Sequence, residues 1–486
     1  MSNTPSIGGR IRAAAWLVVL MVCTSVPALA ACDINGAWEG AYNDDGGNTG
    51  TLTATFANAS STTVNISVIV ILSGYGTLSE TPTATLNGST LTWSYSVPGT
   101  GTQSGNGTIA SDCNHLSGTV VTTLDQFGFP VTGTYTLSRQ PVALSVWGLT
   151  FPQTPIAGNG SAAQSVSITN TGTTSLALGP VTNDGDFTST SACSTALAPG
   201  GSCSVSVTCN PTGPGIRSGS LYINDTNKTP IGSVALSCSG VQPLTGANFL
   251  PVSGWWWDPK LNGTAFFVEY GGNSGRGLFV GGFLYDAGGN STWLVSTGPL
   301  SSASYSSQWI KVSGGQTLTG PYKTPSQGNA GNIGVQFVDA NNAAMTRPDG
   351  SKINLVRFSF SNGSTPAPPV GGAPQSGWWW AGSALSGTGY GIEIQGNAVF
   401  IVAYVYDNSG NPIWYLATGT LTSPTSYVGS WQNYAGGPQL SSPEGNYTVH
   451  TINGSDVAMS LTFSDATHGK LTMGSVTVPI VRFQEF

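Results

Sequence analysis

The feature that most constrains how this chain can fold is a Gly-Trp-Trp-Trp stretch that occurs twice, at residues 254–257 and 377–380. The same landmarks follow each stretch in the same order. They pair Gly263 with Gly387, Glu269 with Glu393, Phe279 with Phe400, Tyr285-Asp286 with Tyr406-Asp407, Trp293 with Trp414, Trp309 with Trp431, and Arg357-Phe358 with Arg482-Phe483. A period of about 120 residues is too long for a solenoid repeat and is typical of a duplicated domain.

Each copy carries a β pattern. Large apolar residues alternate with a period of two in the segments 279–285 and 400–406, which indicates strands. The turns that follow, at 286–290 and 407–411, are rich in Asp, Asn and Gly and favour hairpins. We count about eight strands per copy with hairpin-length connections. The pattern predicts a small antiparallel meander in each copy, closed or nearly closed as a barrel.

Composition limits the class of protein. Charged residues make up 7% of the 486-residue chain, against about 25% in ordinary globular proteins, so the surface is solvated mainly by hydroxyls and amides. A hydrophobic content of 39% with 10% aromatics is sufficient for packed cores and argues against disorder. The net charge of −7 argues against a nucleic-acid partner, because such partners require basic patches.

Residues 1–30 predict a signal peptide. Arg10 and Arg12 form its basic end, the apolar run 13–26 is too short to span a bilayer, and residues 28–30 form an Ala-Leu-Ala cleavage site. No later stretch is apolar enough to cross a membrane, so we predict no transmembrane segment after signal removal. The expected location is therefore secreted, periplasmic or outer-surface.

Cys32 leaves two alternatives open. Residues 29–32 also match a bacterial lipoprotein box, which would make the protein lipid-anchored through Cys32. An even set of six cysteines remains beyond the signal peptide, however, and even sets in exported chains favour disulfides. We predict the pairs Cys32–Cys113, Cys193–Cys203 and Cys209–Cys238; lipidation of Cys32 would leave Cys113 unpaired.

The remaining chain divides into five parts. A first domain covers 32–139, a second 141–242, the first Trp-rich repeat 247–360, a Pro/Gly-rich linker 361–374, and the second Trp-rich repeat 375–486. The opening Gly36-Ala37-Trp38 and the spacing of the strand candidates in the first domain resemble lipocalin-like domains. That resemblance implies a ligand cavity, whereas the alternative is a β-barrel or sandwich with a filled core.

The second domain is the most recognisable part of the chain. Its motifs include Val166–Gly172, Asp186-Phe187, Leu197–Cys203 and Ser218–Leu221. Together they closely resemble the immunoglobulin-like domain of the ASPM/SPD-2/Hydin type, of the bacterial choice-of-anchor D proteins. The resemblance implies a seven-stranded sandwich that serves as a spacer or adhesion module, without an active site.

Two cysteines depart from that pattern, which usually has an aromatic residue at Cys209 and a glycine at Cys238. Cys203, Val205, Val207 and Cys209 alternate on one face of a strand, and Cys238 has the same relation to its own strand. Two core-facing cysteines on two strands of one sandwich can meet. Cys193 and Cys203 bracket a short loop that a second disulfide can close.

The sequence shows little sign of catalysis. The three histidines, His115, His450 and His468, are far apart and have no metal-ligand spacing with other residues. The turn at 407–411 loosely resembles a calcium loop but has too few carboxylates. We therefore predict no enzymatic activity, no metal and no cofactor.

The repeats supply the candidate binding residues. Glu269 and Glu393 recur at equivalent positions, as do Arg357 and Arg482. They form either an ion pair that closes the first and last strands of each copy or a polar floor for a ligand.

Ten of the 14 tryptophans lie in the repeats. Strand alternation separates Trp256 from Trp255 and Trp257, and Trp379 likewise from its neighbours. We predict that Trp256 and Trp379, with Glu269 and Glu393, form part of a ligand or partner surface, since exposed aromatics favour binding; the alternative is structural packing.

We expect an all-β, exported, multidomain protein of the bacterial cell envelope. The repeats resemble a Trp-rich tandem unit of secreted proteobacterial proteins. The leading functional hypothesis is binding or adhesion, with a glycan or a surface protein as partner. The alternatives are a purely structural surface or scaffold protein and an accessory module of a secreted enzyme system.

Overall fold

The computed structural model describes residues 36–486 apart from short gaps. These gaps are 46, 48, 58–62, 73–75, 81, 98–100, 111–113, 125–129, 140, 173, 195, 362, 364, 383–386 and 453–455. The predicted signal peptide, Cys32 and Cys113 lie outside the described residues, as does the disulfide predicted between these two cysteines. The described chain forms 34 β-strands, which confirms the all-β prediction. Within these ranges, no helix has the length and apolar character that a membrane crossing requires.

The first nine strands form one antiparallel sheet. They are β1 (Gly36–Asp44), β2 (Thr49–Ala57), β3 (Thr63–Leu72), β4 (Gly76–Glu80), β5 (Thr83–Asn87), β6 (Thr90–Val97), β7 (Gly101–Ile109), β8 (His115–Leu124) and β9 (Pro130–Arg139). Because β2 pairs with β3 as well as β1, eight of the strands join in a ring, and β4 is added to β3. Trp38, Phe56 and Leu91 lie in its packed interior.

Strands β10 to β17 form a sandwich of two four-stranded sheets. The strands are β10 (Val142–Leu144), β11 (Gly148–Pro155), β12 (Gln164–Asn170), β13 (Thr182–Asn183), β14 (Phe187–Ser191), β15 (Ser202–Cys209), β16 (Gly215–Asn224) and β17 (Pro230–Val241). The sheet orders are β10-β12-β15-β14 and β11-β17-β16-β13. The sandwich thus has eight strands where seven were expected; its first two strands lie on different sheets, with β10 paired to β12 and β11 paired to β17.

Two of the predicted disulfides are confirmed. Cys193 and Cys203 are bonded with their Cα atoms 5.3 Å apart, and Cys209 and Cys238 with theirs 6.6 Å apart. Cys209 and Cys238 are fully buried in the sandwich core, as the alternation along their strands predicted. Covalent closure of these loops restricts the unfolded chain and so stabilises the small domain.

Each Trp-rich repeat forms a barrel of eight antiparallel strands, which confirms the predicted strand number and closure. The first contains β18 (Gly254–Trp257), β19 (Ala265–Gly271), β20 (Gly277–Tyr285), β21 (Ser291–Pro299), β22 (Ser304–Ser313), β23 (Ser326–Phe337), β24 (Asn342–Thr346) and β25 (Lys352–Arg357). The second contains β26 (Gly377–Trp380), β27 (Gly389–Gln395), β28 (Ala398–Tyr406), β29 (Pro412–Thr420), β30 (Ser426–Ala435), β32 (Val457–Phe463), β33 (His468–Met473) and β34 (Val476–Arg482), with β31 (His450–Thr451) added to β30.

The two barrels share a third apolar core that lies between them. It contains aromatic residues of both copies that point away from their own barrel interiors. Its buried members are Trp255, Phe267, Phe283, Tyr285, Trp293, Val312, Trp378, Val402, Tyr404, Tyr406 and Trp414. Each barrel therefore buries two sets of side chains, one inside itself and one against its copy.

Two loops also cross from one repeat to the other. Arm 1 (residues 314–325) leaves the first barrel, and its Leu318 packs against the core of the second. Arm 2 (residues 436–449) does the reverse, and its Leu440 and Tyr447 pack against the core of the first. Arg347 fixes arm 2 by donating from Nη1 to the Leu440 carbonyl oxygen at 2.9 Å.

These contacts join the duplicated domains into one packed unit. The matched landmarks along the chain show that the copies share a fold, but not that each closes its own core. Because Leu318 and Leu440 are exchanged, an isolated copy would expose both the shared core and the place that its neighbour's arm fills.

The immunoglobulin-like sandwich contacts both repeats. Gln153 accepts a hydrogen bond from the Ser253 hydroxyl at 2.8 Å in the first repeat. On the other side, the Ser237 hydroxyl accepts from the Gln375 amide at 2.6 Å, in a contact that is buried. The Thr150 hydroxyl donates to the Ala373 carbonyl oxygen of the linker at 2.7 Å. The linker and the sandwich are therefore packed parts of the C-terminal assembly rather than free spacers.

We expect Leu440→Ala to lower the free energy of unfolding by about 1–3 kcal/mol, because it removes a side chain that packs on the core of the other barrel. Thermal unfolding monitored by tryptophan fluorescence measures the effect. Val428→Ala is the control, since Val428 is 65% exposed and its loss should cost under about 0.5 kcal/mol. Equal stability of the two variants would show that arm 2 does not support the first barrel.

Candidate functional site between the two repeats

The triple tryptophans are divided among three environments by strand alternation. Trp255 points to the other copy and is fully buried in the shared core. Trp256 points into its own barrel, and Trp257 lies half-buried at the rim of the contact between the copies. The second triplet repeats this division. Alternation therefore separates the middle tryptophan from its neighbours, as expected.

The placement of the middle tryptophans corrects the prediction of a ligand surface. Trp256 and Trp379 are 0% and 1% exposed. Their indole Nε1 atoms donate to the carbonyl oxygens of Val252 at 3.0 Å and Gln375 at 3.2 Å. Once the strands close into barrels, the middle residue of each triplet faces the interior, where it packs as a core residue and no ligand reaches it.

The repeated carboxylates and guanidiniums form ion pairs across the copies. Arg357 Nη2 of the first repeat lies 2.5 Å from Glu393 Oε1 of the second, and Arg482 Nη2 lies 2.5 Å from Glu269 Oε1. All four side chains are at most 4% exposed. This corrects both earlier alternatives, since the pairs neither close the strands of a single copy nor form an open polar floor.

Strand geometry explains why the pairing crosses the copies. On β19, Phe266, Val268 and Tyr270 face the barrel interior, so Phe267 and Glu269 face outward. On this side of the barrel, a side chain that points outward points toward the other repeat. The carboxylate therefore emerges at the interface, where the arginine that reaches it belongs to the neighbouring repeat.

Further hydrogen bonds satisfy the buried carboxylates. Glu393 Oε2 accepts from the Trp255 backbone N–H at 2.6 Å, and Glu269 Oε2 accepts from the Trp378 N–H at 2.8 Å. The Gln395 amide donates to Glu393 at 2.8 Å. Such bonds offset the cost of burying the carboxylates, although Nε of Arg357 and of Arg482 is buried without a hydrogen-bond partner.

The glycine before each tryptophan triplet makes the close approach of the buried glutamate and arginine side chains possible. Gly254 and Gly377 have φ values of 129° and 145°, a region that side chains disfavour. A Cβ at Gly254 would overlap the Glu393 carboxylate, and one at Gly377 would overlap the Arg482 guanidinium. The Gly-Trp-Trp-Trp motif is therefore an ion-pair motif as much as an aromatic one.

Two tryptophans that our sequence reasoning missed tie the copies together. Trp293 Nε1 donates to the Val405 carbonyl oxygen at 3.0 Å, and Trp414 Nε1 donates to the Leu284 carbonyl oxygen at 3.1 Å. Their recurrence at equivalent positions was the available signal. The two bonds are the same contact with the roles of the copies exchanged, which is the property of a twofold interface.

Two clusters of half-exposed aromatic residues lie at the rim of the interface. In rim cluster 1, Trp257 lies 5.3 Å from Phe358, and Phe360 lies 5.5 Å from Phe400. The four rings come from both copies, and each is partly accessible to solvent.

Rim cluster 2 is the equivalent set. Trp380 lies 5.2 Å from Phe483, and Phe279 lies 5.7 Å from Phe486. It too combines three rings of one copy with one ring of the other. Trp257 and Trp380 share a face with the interface tryptophans, as alternation predicts, but lie at its edge; the third tryptophans, not the middle ones, are the accessible members of the triplets.

The turn at 407–411, which loosely resembles a calcium loop, is a hairpin turn. Asp407 Oδ1 accepts from the N–H groups of Ser409 at 2.9 Å and Asn411 at 2.8 Å. Burial raises the pKa of the Asp407 carboxyl, but hydrogen bonds from Asn411, Ser409 and Gly410 outweigh it and hold the pKa below its ordinary value. In the part of the chain that is described, no group of three or more His, Cys, Asp or Glu residues is arranged to hold a metal ion.

The histidines lie in different elements. His115 begins β8 of the N-terminal sheet, and His450 begins the short strand β31. His468 contacts Asp465 at 3.0 Å within a single exposed turn. The fold does not bring the three residues into one catalytic group.

Comparison with known proteins identifies no family for this chain. No family model matches its sequence, and no curated protein matches it. Among solved structures, EF1p2_mFAP2b bound to DFHBI is 21% identical, with a TM-score of 0.21, and the match covers 23% of this chain and 99% of that one.

Two proteases of Vibrio cholerae also match. The VesB protease is 14% identical, covering 42% of this chain and 96% of that one, with a TM-score of 0.20. The secreted serine protease VesC is 12% identical, covering 68% and 98%, with a TM-score of 0.20. Similarities at these TM-scores carry no argument about fold or activity.

We expect Glu393→Ala to lower the free energy of unfolding by about 3–5 kcal/mol, because it leaves the Arg357 guanidinium buried without its partner. Glu444→Ala is the control: it removes the exposed pair with Lys260, whose side chain is 68% exposed, and should cost under about 1 kcal/mol. Chemical denaturation of both variants at one ionic strength measures the difference. A loss for Glu393→Ala as small as the control's would contradict a stabilising role of the crossed pairs.

Proposed function

We propose that this chain is an exported binding or adhesion protein of the bacterial cell envelope. Its two fused barrels form the binding head, and the immunoglobulin-like sandwich holds that head from one side. The ligand is a glycan or a protein displayed on a surface. No cofactor and no catalytic step belong to this proposal.

The observation that carries the proposal is the pair of rim clusters around Trp257 and Trp380. A fold that buries so many aromatic side chains still leaves these rings accessible, and it does so twice at equivalent places. Aromatic faces on a polar surface favour ligands with one apolar side and a hydroxylated edge, such as sugar rings. Because charged residues are only 7% of the chain, a neutral glycan suits this surface better than a charged one.

The proposed location is outside the cytoplasm. The two disulfides indicate an oxidising, extracytoplasmic compartment. The predicted signal peptide agrees with export, and the choice between soluble release and a lipid anchor at Cys32 belongs to the same proposal. Mass spectrometry of the mature N-terminus separates the two, since a diacylglycerol group on Cys32 excludes a disulfide there.

A structural or scaffold role is the second candidate, and a specific observation favours it. Most aromatic residues that recur between the copies are buried, either in the shared core, as Trp255 and Trp293 are, or inside one barrel, as Trp256 and Trp309 are. Those residues serve the rigidity of the head rather than recognition. A role as an accessory module of a secreted enzyme system has less support, because no contact described above points to an enzyme partner.

We expect Trp257→Ala and Trp380→Ala each to weaken glycan binding about five- to tenfold, the loss of one aromatic contact of about 1–1.5 kcal/mol. A glycan array with the intact chain finds the ligand, and calorimetry then compares the variants. Trp147→Ala is the matched control, since Trp147 is 52% exposed but belongs to the sandwich. If the wild type binds no glycan, or if only Trp147→Ala weakens binding, the rim clusters are not the site.

A further inference from the structure

We propose that the surface joining the two repeats also recognises a second copy of this chain. Repeat 1 of one chain binds repeat 2 of a second chain through the same contacts that join the two repeats within one chain. Repeat 2 of the first chain binds repeat 1 of the second, which completes a reciprocal dimer. The proposal rests on the geometry of the interface and is independent of glycan binding.

The first support is that the contacts are duplicated with exchanged roles. Each ion pair, each indole hydrogen bond and each inserted leucine occurs twice. The matched contacts are Arg357–Glu393 with Arg482–Glu269, Trp293 to Val405 with Trp414 to Leu284, and Leu318 with Leu440. Such a surface is self-complementary in the way that twofold dimer interfaces are. Nothing in this set of contacts requires both repeats to belong to one polypeptide.

The second support is the attachment of the linker. The Val370 N–H donates to the Gly396 carbonyl oxygen at 2.8 Å, and the Gly396 N–H donates to the Pro368 carbonyl oxygen at 3.1 Å. The end of the linker is thus fixed to repeat 2 and can move with it. For repeat 2 to be exchanged between two chains, only the backbone before Pro368 has to change direction.

The third support is that unlike repeats fit better than like ones. Phe267 of repeat 1 and Gly391 of repeat 2 occupy equivalent positions, and a Cβ at Gly391 would lie 3.2 Å from the Phe267 ring. Two copies of repeat 1 would bring two Phe267 rings into this space, whereas two copies of repeat 2 would leave it empty. Pairing of unlike repeats is satisfied within one chain and in a closed reciprocal dimer, so both products are available to the same surface.

The partition between the two products depends on protein concentration at the time of folding. Within one chain, the linker keeps the partner repeat at a high effective concentration, which favours the monomer in dilute solution. Raising the chain concentration during refolding favours the dimer. Shortening the linker acts in the same direction, because the repeats of one chain can then no longer reach each other.

The test uses the full chain carrying Asn290→Cys and Ala435→Cys. Asn290 of repeat 1 and Ala435 of repeat 2 form an antiparallel β-bridge, so their backbones lie within disulfide range. The protein is unfolded, refolded at low and at high concentration, oxidised, and separated by size with light scattering. The expected result is a fraction of doubled molar mass that grows with refolding concentration and remains covalently dimeric on a non-reducing gel, while the monomer fraction stays monomeric.

A second variant lacking residues 365–367 is refolded in parallel and should shift toward the doubled mass. The native chain with neither cysteine, refolded in the same way, controls for disulfide-driven association. Monomers alone at every concentration and in the shortened chain would overturn the proposal. A doubled mass that separates into monomers on the non-reducing gel would overturn it as well, since the chains would then associate by another surface.

Discussion

The C-terminal half of this protein depends on two buried ion pairs that cross between the repeats. Moving a carboxylate and a guanidinium out of water costs several kcal/mol per ion, so such a pair needs close geometry and hydrogen bonds to the buried carboxylate. Both conditions hold at Glu393, which receives Arg357, the Trp255 N–H and the Gln395 amide. Because the partners lie on different barrels, these requirements fix the barrels relative to each other. The shared aromatic core and the exchanged arms follow from that arrangement.

The same arrangement decides what the tryptophans can do. In each triplet the first indole seals the interface, the second fills its own barrel, and only the third remains accessible to solvent. Each repeat therefore presents the third tryptophan of its triplet in a rim cluster, while Tyr322 is exposed elsewhere in the first repeat. Candidate ligands are correspondingly those that a few rings on a polar, nearly uncharged surface can hold.

The immunoglobulin-like sandwich has a larger structural part than a spacer would have. Its β11 and β17 strands carry Gln153 and Ser237, which contact different repeats. A domain that contacts both members of a pair resists their separation, and this contact would have to re-form in any dimer made by exchange. The disulfide between Cys209 and Cys238 stiffens the sandwich whose strands provide these contacts.

The sequence by itself determined the β class, the duplication, the eight strands of each repeat and two disulfides, because each of these follows from short-range periodicity or from a pattern recurring along the chain. Period-two alternation at Cys209 and Cys238 was sufficient to place both sulfur atoms in one core. It was also sufficient to separate Trp256 from Trp255, but it could not say which face met solvent, since that depends on what packs outside the barrel. The sequence could not show which arginine pairs with Glu269 and which with Glu393 either. Each repeat has one equivalent arginine, so the local sequence pattern is the same whether the pairs form within a repeat or between repeats. Only the tertiary structure decided between them, because the outward face of each barrel is buried by the other copy.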